Sequence, residues 1–181
     1  MAVLDALHSG GTRRELDYYP TPPEATQALL PHIADWPRSV WEPCCGDGAM
    51  SKVLEAAGYD VLSTDLVDRG YGAGKEDFFE FVFPFAPYLS VVTNPPFNRA
   101  DDFIQHACAI GVERMALLLK INFWNAAKRL NAWGTWRPRM ILPFTWRLDF
   151  TGAGSPHTDC MWVLWDRTNH LTGFDLLRRP A

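Results

Sequence analysis

Leu89-Ser90-Val91-Val92-Thr93-Asn94-Pro95-Pro96-Phe97 is the stretch on which the reading of this chain turns. The apolar run up to Thr93 predicts a short buried strand, which ends in an amide side chain, two prolines and an aromatic ring. Each proline fixes its own φ and pushes the residue before it out of the helical region, so Asn94 and Pro95 are held extended. The product is a stiff turn with no N–H on either proline, whose carbonyls and Asn94 amide oxygen accept hydrogen bonds. Rigid acceptors beside an aromatic plate suit the holding of a planar ring that bears an amino group. A plain proline-rich loop after a strand is the competing reading, so the rest of the chain has to decide.

Strands alternate with helices on both sides of this stretch. Thr21-Pro22-Pro23-Glu24 reads as a helix start, with Thr21 as cap and proline in the first turn, and Ala25, Ala28, Leu29 and Ile33 share a face of the segment that follows. Ser39-Val40-Trp41 predicts a strand that runs into Glu42-Pro43-Cys44-Cys45-Gly46-Asp47-Gly48, then a helix from Met50 to Ala57 closed by Gly58. Tyr59 to Thr64 is a second strand ending at Asp65, and a phenylalanine-rich third region contains Asp77-Phe78-Phe79. Beyond Phe97 come a helix over Asp101–Ile110, a strand over Met115–Leu119, a helix over Phe123–Leu130, and late strands over Met140–Phe144 and Met161–Trp165. Gly152-Ala153-Gly154-Ser155-Pro156 makes the loop between the last two. This order implies an α/β chain with a mainly parallel sheet and crossover helices. Residues 1–17, with Gly10-Gly11 as a break, read as a flexible arm before one domain spanning 18–181.

A chain of 181 residues with 48% hydrophobic and 21% charged side chains buries roughly 70% of its unfolded surface. No apolar run approaches the ~20 residues of a membrane span, and no signal peptide is evident, so no membrane partner is expected. Cys44, Cys45, Cys108 and Cys160 form no C-x-x-C pair and no His/Cys metal spacing. They read as reduced thiols of a cytoplasmic protein without a metal site. The net charge of −4 argues against a polyanion partner, but its distribution does not. Residues 120–147 hold Lys120, Lys128, Arg129, Arg137, Arg139 and Arg147 with no acidic residue, interleaved with Phe123, Trp124, Trp133, Trp136, Phe144 and Trp146. Cations alternating with aromatics suit phosphate contacts and base stacking. Residues 120–160 are therefore expected to meet nucleic acid, with Lys120, Phe123, Trp124, Lys128, Arg129, Arg137 and Arg139 as contacts, while Trp146, Trp162 and Trp165 are assigned to packing.

In parallel sheets ligands bind outside the carboxyl ends of the strands, and four chemically loaded groups fall there. Gly46 and Gly48 permit close backbone approach before a helix N-terminus. The segment is not a phosphate loop, since it lacks the lysine, and the acidic Glu42 favours a cation. Asp65 can accept both ribose hydroxyls of a nucleoside. Asp77 can accept from an exocyclic adenine amine while Phe78 packs on the ring, although a surface aspartate beside core aromatics reads equally well. Asn94 to Phe97 is the fourth group. Together they predict a nucleoside-bearing cofactor facing a second planar base.

These segments resemble, in order, the motifs of S-adenosylmethionine-dependent adenine-N6 DNA methyltransferases. Tyr19, Thr21 and Pro22 lie in the segment that resembles the one contacting the methionine end of the cofactor. Glu42, Pro43, Cys44, Gly46, Asp47 and Gly48 resemble the glycine-rich cofactor loop. Asp65 with Leu66 resembles the ribose-binding position, Asp77-Phe78 the adenine-contacting pair, and Asn94-Pro95-Pro96-Phe97 the catalytic tetrapeptide. The resemblance covers Tyr18 to about Leu119 and implies a Rossmann-like single-domain fold with a seven-stranded, mostly parallel sheet and helices on both faces. It also implies S-adenosylmethionine as cofactor, S-adenosylhomocysteine as product, and adenine in DNA as acceptor, single- or double-stranded. The Tyr19-Pro20-Thr21-Pro22 opening is similar to small phage or prophage enzymes, which implies a bacterial host cytoplasm and a role in restriction evasion.

One departure bears on specificity. Only 84 residues follow Phe97, too few for a separate recognition domain, so sequence readout is expected to be short or relaxed. RNA adenine or guanine amino-methylation and glutamine methylation of a protein remain alternatives, since related tetrapeptides resemble those enzymes too. Cytosine-N4 methylation is disfavoured by asparagine at position 94. A non-catalytic nucleic-acid-binding module on the same scaffold is the reading from a different class.

Overall fold

The computed structural model describes residues 18–80, 90–154, 156, 158–169 and 171–180. The expected arm 1–17, Leu89, and the loop residues Ser155 and His157 lie outside the described residues. The elements run β1 (Ser39–Glu42), β2 (Asp60–Asp65), β3 (Ala73–Gly74), β4 (Ser90–Thr93), β5 (Arg114–Lys120), β6 (Met140–Pro143), β7 (Cys160–Asp166) and β8 (Gly173–Phe174). Among the described residues four α-helices intervene: α1 (Pro23–Leu29), α2 (Ala49–Ala56), α3 (Ala100–Ala109) and α4 (Arg129–Thr135). All strands join one sheet in the order β3-β2-β1-β4-β5-β7-β6-β8. Among these described strands, the pairings of β7 with β5 and with β6 are antiparallel and the rest are parallel. The eighth strand, beyond the seven expected, is the two-residue β8, which pairs with β6 and forms the edge of the sheet.

The strand sequences explain the layering. β5 reads Met115-Ala116-Leu117-Leu118-Leu119, buried throughout, as a central strand covered on both faces must be. Alternate residues feed two cores. Val40, Val92, Ala116, Leu118, Trp162 and Leu164 face Ala25, Ala28, Leu29, Met50 and Leu54 of α1 and α2. Trp41, Val91, Met115, Leu117, Val163 and Trp165 face Phe103, Ile104, Ala107 and Ala132 of α3 and α4. Buried indoles satisfy their N–H groups internally, Trp162 on the Ala25 carbonyl and Trp165 on the Trp136 carbonyl, each at 2.8 Å. Both were expected in the core. Trp146 is half-buried against it.

Two local expectations change. Thr21 does not cap α1: Pro22 is the N-cap residue and no side chain bonds there. The helix expected over Phe123–Leu130 is a 3-10 turn, Ile121–Trp124, followed by α4 starting at Arg129.

Candidate active site

Five neighbouring strands, β3, β2, β1, β4 and β5, run parallel, so their carboxyl ends share one edge. β1 pairs with β2 on one side and β4 on the other, which makes the β1/β4 junction the point where the sheet's winding reverses. Ligands favour such a crevice. In the register Trp41↔Val91, the ends of β1 and β4 bring the 43–48 turn beside Asn94.

That turn is fastened to β2. The Cys45 N–H donates to the Thr64 carbonyl at 2.9 Å. The Gly46 N–H donates to Asp65 Oδ2 at 2.8 Å, and Asp65 Oδ1 accepts the Val67 N–H at 2.8 Å. Gly46 and Gly48 have φ of +57° and +80°, which only glycine adopts freely. Their missing side chains matter a second time. The ring of Tyr18 lies over Gly46 and that of Tyr71 over Gly48, where a Cβ would stand. The Asp47 N–H donates to the Tyr18 hydroxyl at 3.2 Å, Arg69 caps the Tyr18 ring at 4.0 Å, and the Tyr71 hydroxyl donates to Glu55 at 2.8 Å. Neither tyrosine was singled out from sequence. The two glycines were expected to permit close approach to the turn, but nothing local points to residues 18 and 71.

Glu42 ends β1 and is 2% exposed. Its carboxylate accepts from the Ser51 hydroxyl, which is also 2.6 Å from the Ser63 hydroxyl. Burial pushes the Glu42 carboxyl from the ordinary 4.5 up to about 8, against the opposing pull of the Ser51 bond. Burial likewise raises the Cys45 thiol to about 12 and the half-buried Cys44 higher still, so neither is a thiolate nucleophile. Asp77 accepts the Phe79 N–H at 2.9 Å in a tight turn. Phe78 departs from its expected role. Its ring is 3% exposed, stacked on Phe103 at 4.4 Å and packed near Trp41 and His106, so both faces belong to the core. Leu66, next to Asp65, is 59% exposed. Tyr19 sits edge-on to Phe150 with ring centroids 6.2 Å apart, Pro22 and Pro43 are buried, and Asp47 is exposed at the turn.

Asn94 is half-buried just beyond β4. Its Nδ2 donates to the Thr21 hydroxyl at 3.2 Å, and its Oδ1 accepts no hydrogen bond among the described residues. The carbonyls of the tetrapeptide are not all free, as the sequence implied, because Pro96 accepts the Arg99 N–H at 2.9 Å. Phe97 is half-buried, and Lys120 Nζ, from the end of β5, lies 4.8 Å from its ring centroid.

The basic aromatic tract divides in two. Lys120 ends β5 on the Asn94 edge, and exposed Lys128 directly precedes α4, in the stretch whose Trp124, Ala126, Ala127, Arg129, Leu130 and Trp133 line a cleft of about 570 Å³. Trp124 is half-buried, edge-on to Trp133 at 5.4 Å and to Phe123 at 4.7 Å. Phe123 is a core residue, 7% exposed. Arg129, expected on phosphate, is instead buried over the Phe123 ring at 4.3 Å and ion-paired with Asp101 at 3.4 Å. Arg139 is likewise engaged, 3.2 Å from the buried Asp166 and 3.8 Å from Asp35. It precedes β6, which runs parallel to β5, so it lies at the opposite sheet edge from Asn94. Exposed Arg137 lines a separate depression there with Cys108 and Arg167. Asp159 pairs with Arg147 at 2.9 Å and Cys160 opens β7. Among the described residues no three His, Cys, Asp or Glu side chains gather to hold a metal, and no helix is long and apolar enough to cross a membrane.

The buried Glu42 has a measurable consequence. Its folded pKa lies above the unfolded value, so the native state keeps a proton that the unfolded chain has released. Its effect on stability is therefore least unfavourable below pH 4.5 and becomes more destabilising as pH rises to about 8. Glu42→Gln keeps an acceptor for Ser51 and removes the ionisation. In urea unfolding at pH 5 and pH 8, the variant should gain on the parent at the higher pH. Parallel pH dependence in the two proteins would contradict the assignment.

No family model and no curated protein sequence matches this chain. Solved structures do. PH1948 of Pyrococcus horikoshii, provisionally assigned as an RNA methyltransferase, has a TM-score of 0.66 at 16% identity, covering 83% of this chain and 87% of that one. The methyltransferase subunit of a type I restriction-modification system from Streptococcus thermophilus has a TM-score of 0.57 at 11% identity, over 85% of this chain but 45% of that one. Magnesium protoporphyrin IX methyltransferase from Synechocystis PCC 6803, crystallised with bound S-adenosylmethionine, has a TM-score of 0.54 at 15% identity, over 80% of this chain and 79% of that one. The sheet order and the likeness agree: the chain has the Rossmann-like fold of S-adenosylmethionine-dependent methyltransferases.

Proposed function

We propose that the chain transfers the methyl group of S-adenosylmethionine to the exocyclic N6 amine of adenine in DNA, with short or relaxed sequence specificity. The Asn94 amide carries this reading. Its nitrogen is engaged by Thr21 and its oxygen is left without a partner among the described residues, next to the glycine turn. An acceptor held in that way suits an amine, whose hydrogens it receives.

The residues around the turn fit a cationic nucleoside. A nearby positive charge favours the ionised form of Glu42, which burial alone disfavours. Asp65 uses one lone pair of each oxygen on backbone N–H groups and has further lone pairs for ribose hydroxyls. Leu66 offers exposed apolar surface beside it, and Asp77 a carboxylate for the adenine amine. Tyr19, Thr21, Pro22, Pro43, Cys44, Gly46, Asp47 and Gly48 would border the same ligand. When bound, S-adenosylmethionine supplies an electrophilic methyl on sulfur.

The chain's own part is orientation. Adenine N6 is a poor nucleophile because its lone pair is delocalised into the ring. Asn94 Oδ1 and the Pro95 carbonyl accept its two hydrogens, draw the nitrogen toward tetrahedral geometry and localise the lone pair. On accepting the methyl, the amine would release one hydrogen as a proton to solvent, and the electrons of the broken methyl–sulfur bond would remain with sulfur. No covalent enzyme intermediate is required, so catalysis is positioning and electrostatics. Phe97 stacks on the target base. In a duplex that base must leave the helix at a cost of about a few kcal/mol, so single strands or weakened pairs react better.

Asn94→Ala is expected to lower kcat about 100-fold or more while leaving S-adenosylhomocysteine binding, measured by calorimetry, unchanged. Equal turnover by the variant would remove Asn94 from the chemistry. The divided basic tract makes a second claim. Lys128→Glu should weaken binding of a single-stranded oligonucleotide and flatten its salt dependence by about one unit of log–log slope, whereas Arg137→Glu on the far edge should not. Equal effects from both would contradict a nucleic-acid path along the Asn94 edge.

A further inference from the structure

We infer that Thr21 is a positioning residue that sets the Asn94 amide for methyl transfer, rather than only a lining residue of the cofactor site. The inference rests on the functional reading above. Thr21 and Asn94 are far apart in sequence, yet the Asn94 Nδ2 donates to the Thr21 hydroxyl at 3.2 Å. A primary amide turned by a half-rotation would present its NH₂ to an incoming amine, opposing hydrogen against hydrogen. Engaging Nδ2 at Thr21 holds the amide plane and leaves Oδ1 directed elsewhere.

The Thr21 hydroxyl is itself delivered rigidly. Thr21 is 6% exposed and lies between Pro20 and Pro22, so its own backbone is confined to the extended region. Pro22 is the N-cap of α1, and its carbonyl accepts the Ala25 N–H at 2.9 Å. The Ala25 carbonyl in turn takes the buried Trp162 indole N–H at 2.8 Å, tying α1 to the middle of the sheet. A chain of fixed contacts therefore runs from β7 through α1 to the amide at the end of β4. This gives the threonine a task that capping would have denied it, since its hydroxyl is not used on the helix it precedes.

The position tests cleanly because threonine has two informative replacements. Thr21→Val keeps the shape and deletes the hydroxyl, whereas Thr21→Ser keeps the hydroxyl. Methyl transfer would be followed from tritiated S-adenosylmethionine to a mixture of adenine-containing single-stranded oligonucleotides, with S-adenosylhomocysteine affinity measured by calorimetry and stability by urea unfolding. The expected result is a kcat about tenfold lower for Thr21→Val, with S-adenosylhomocysteine affinity within twofold of the parent, and recovery of most of the rate in Thr21→Ser. Loss of cofactor affinity with unchanged kcat would overturn the inference in favour of cofactor binding alone. A fall in stability that accounts for the lost rate in both variants would overturn it in favour of a structural role. Asn94→Ala separates the levels. If Asn94→Ala is inactive and Thr21→Val turns over at the parent rate, the positioning inference fails alone, and if Asn94→Ala is fully active, the functional reading fails with it.

Discussion

The pairing of β1 with β4 is the constraint on which the rest of this molecule depends. Those strands are neighbours in the sheet although β2 and β3 separate them in the chain, because the winding turns back at β1 and resumes on its other side. Parallel pairing then obliges both strands to end on the same edge. The Glu42–Gly48 turn and the Asn94–Phe97 turn are thereby set side by side without any contact between their own backbones being needed to draw them together. β2 and β3 extend the edge with Asp65 and Asp77, and β5 extends it the other way with Lys120. A ligand spanning from Asp65 to Asn94 would cross the reversal point, the usual seat of ligands in open α/β sheets.

The edge is held by groups that do two jobs. Asp65 bonds the Gly46 N–H and so shapes the turn, while keeping lone pairs toward the crevice. Tyr18 and Tyr71 fill the space that the two glycines leave and bind the turn from above. The opposite edge has a different logic. There Asp166, 3% exposed at the end of β7, gathers Arg114 at 3.3 Å and Arg139 at 3.2 Å, and its other oxygen accepts from Thr168. That cluster locks the starts of β5 and β6 to the end of β7. Its arginines are structural, so positive charge in the sequence overstates the positive charge that nucleic acid can meet.

Much of the scaffold was legible because strand ends announce themselves. The apolar runs at 90–93 and 115–119 and the punctuation by Gly46, Gly48, Gly58 and the proline pair located the elements and ordered the site along one edge. What sequence misplaced were partners supplied by distant segments. Arg129 and Arg139 looked free because Asp101, Asp35 and Asp166 are far from them in the chain. Phe78 looked available because nothing local reveals that Phe103, Trp41 and His106 close around it. Thr21 looked like a cap because threonine is a favoured capping residue and proline is tolerated in the first turn, and only the folded β4 end shows where its hydroxyl goes. Tertiary contacts, which local pattern does not encode, decided each of these cases.

The central claim is the identity of the methylated atom. The direct measurement is to incubate the protein with S-adenosylmethionine carrying a deuterated methyl group and with single-stranded DNA, duplex DNA and RNA separately, digest each to nucleosides, and identify the labelled product by mass spectrometry. The expected product is labelled N6-methyldeoxyadenosine, with more from single-stranded than from duplex DNA. Label confined to RNA, or carried by cytosine or guanine instead of adenine, would contradict it.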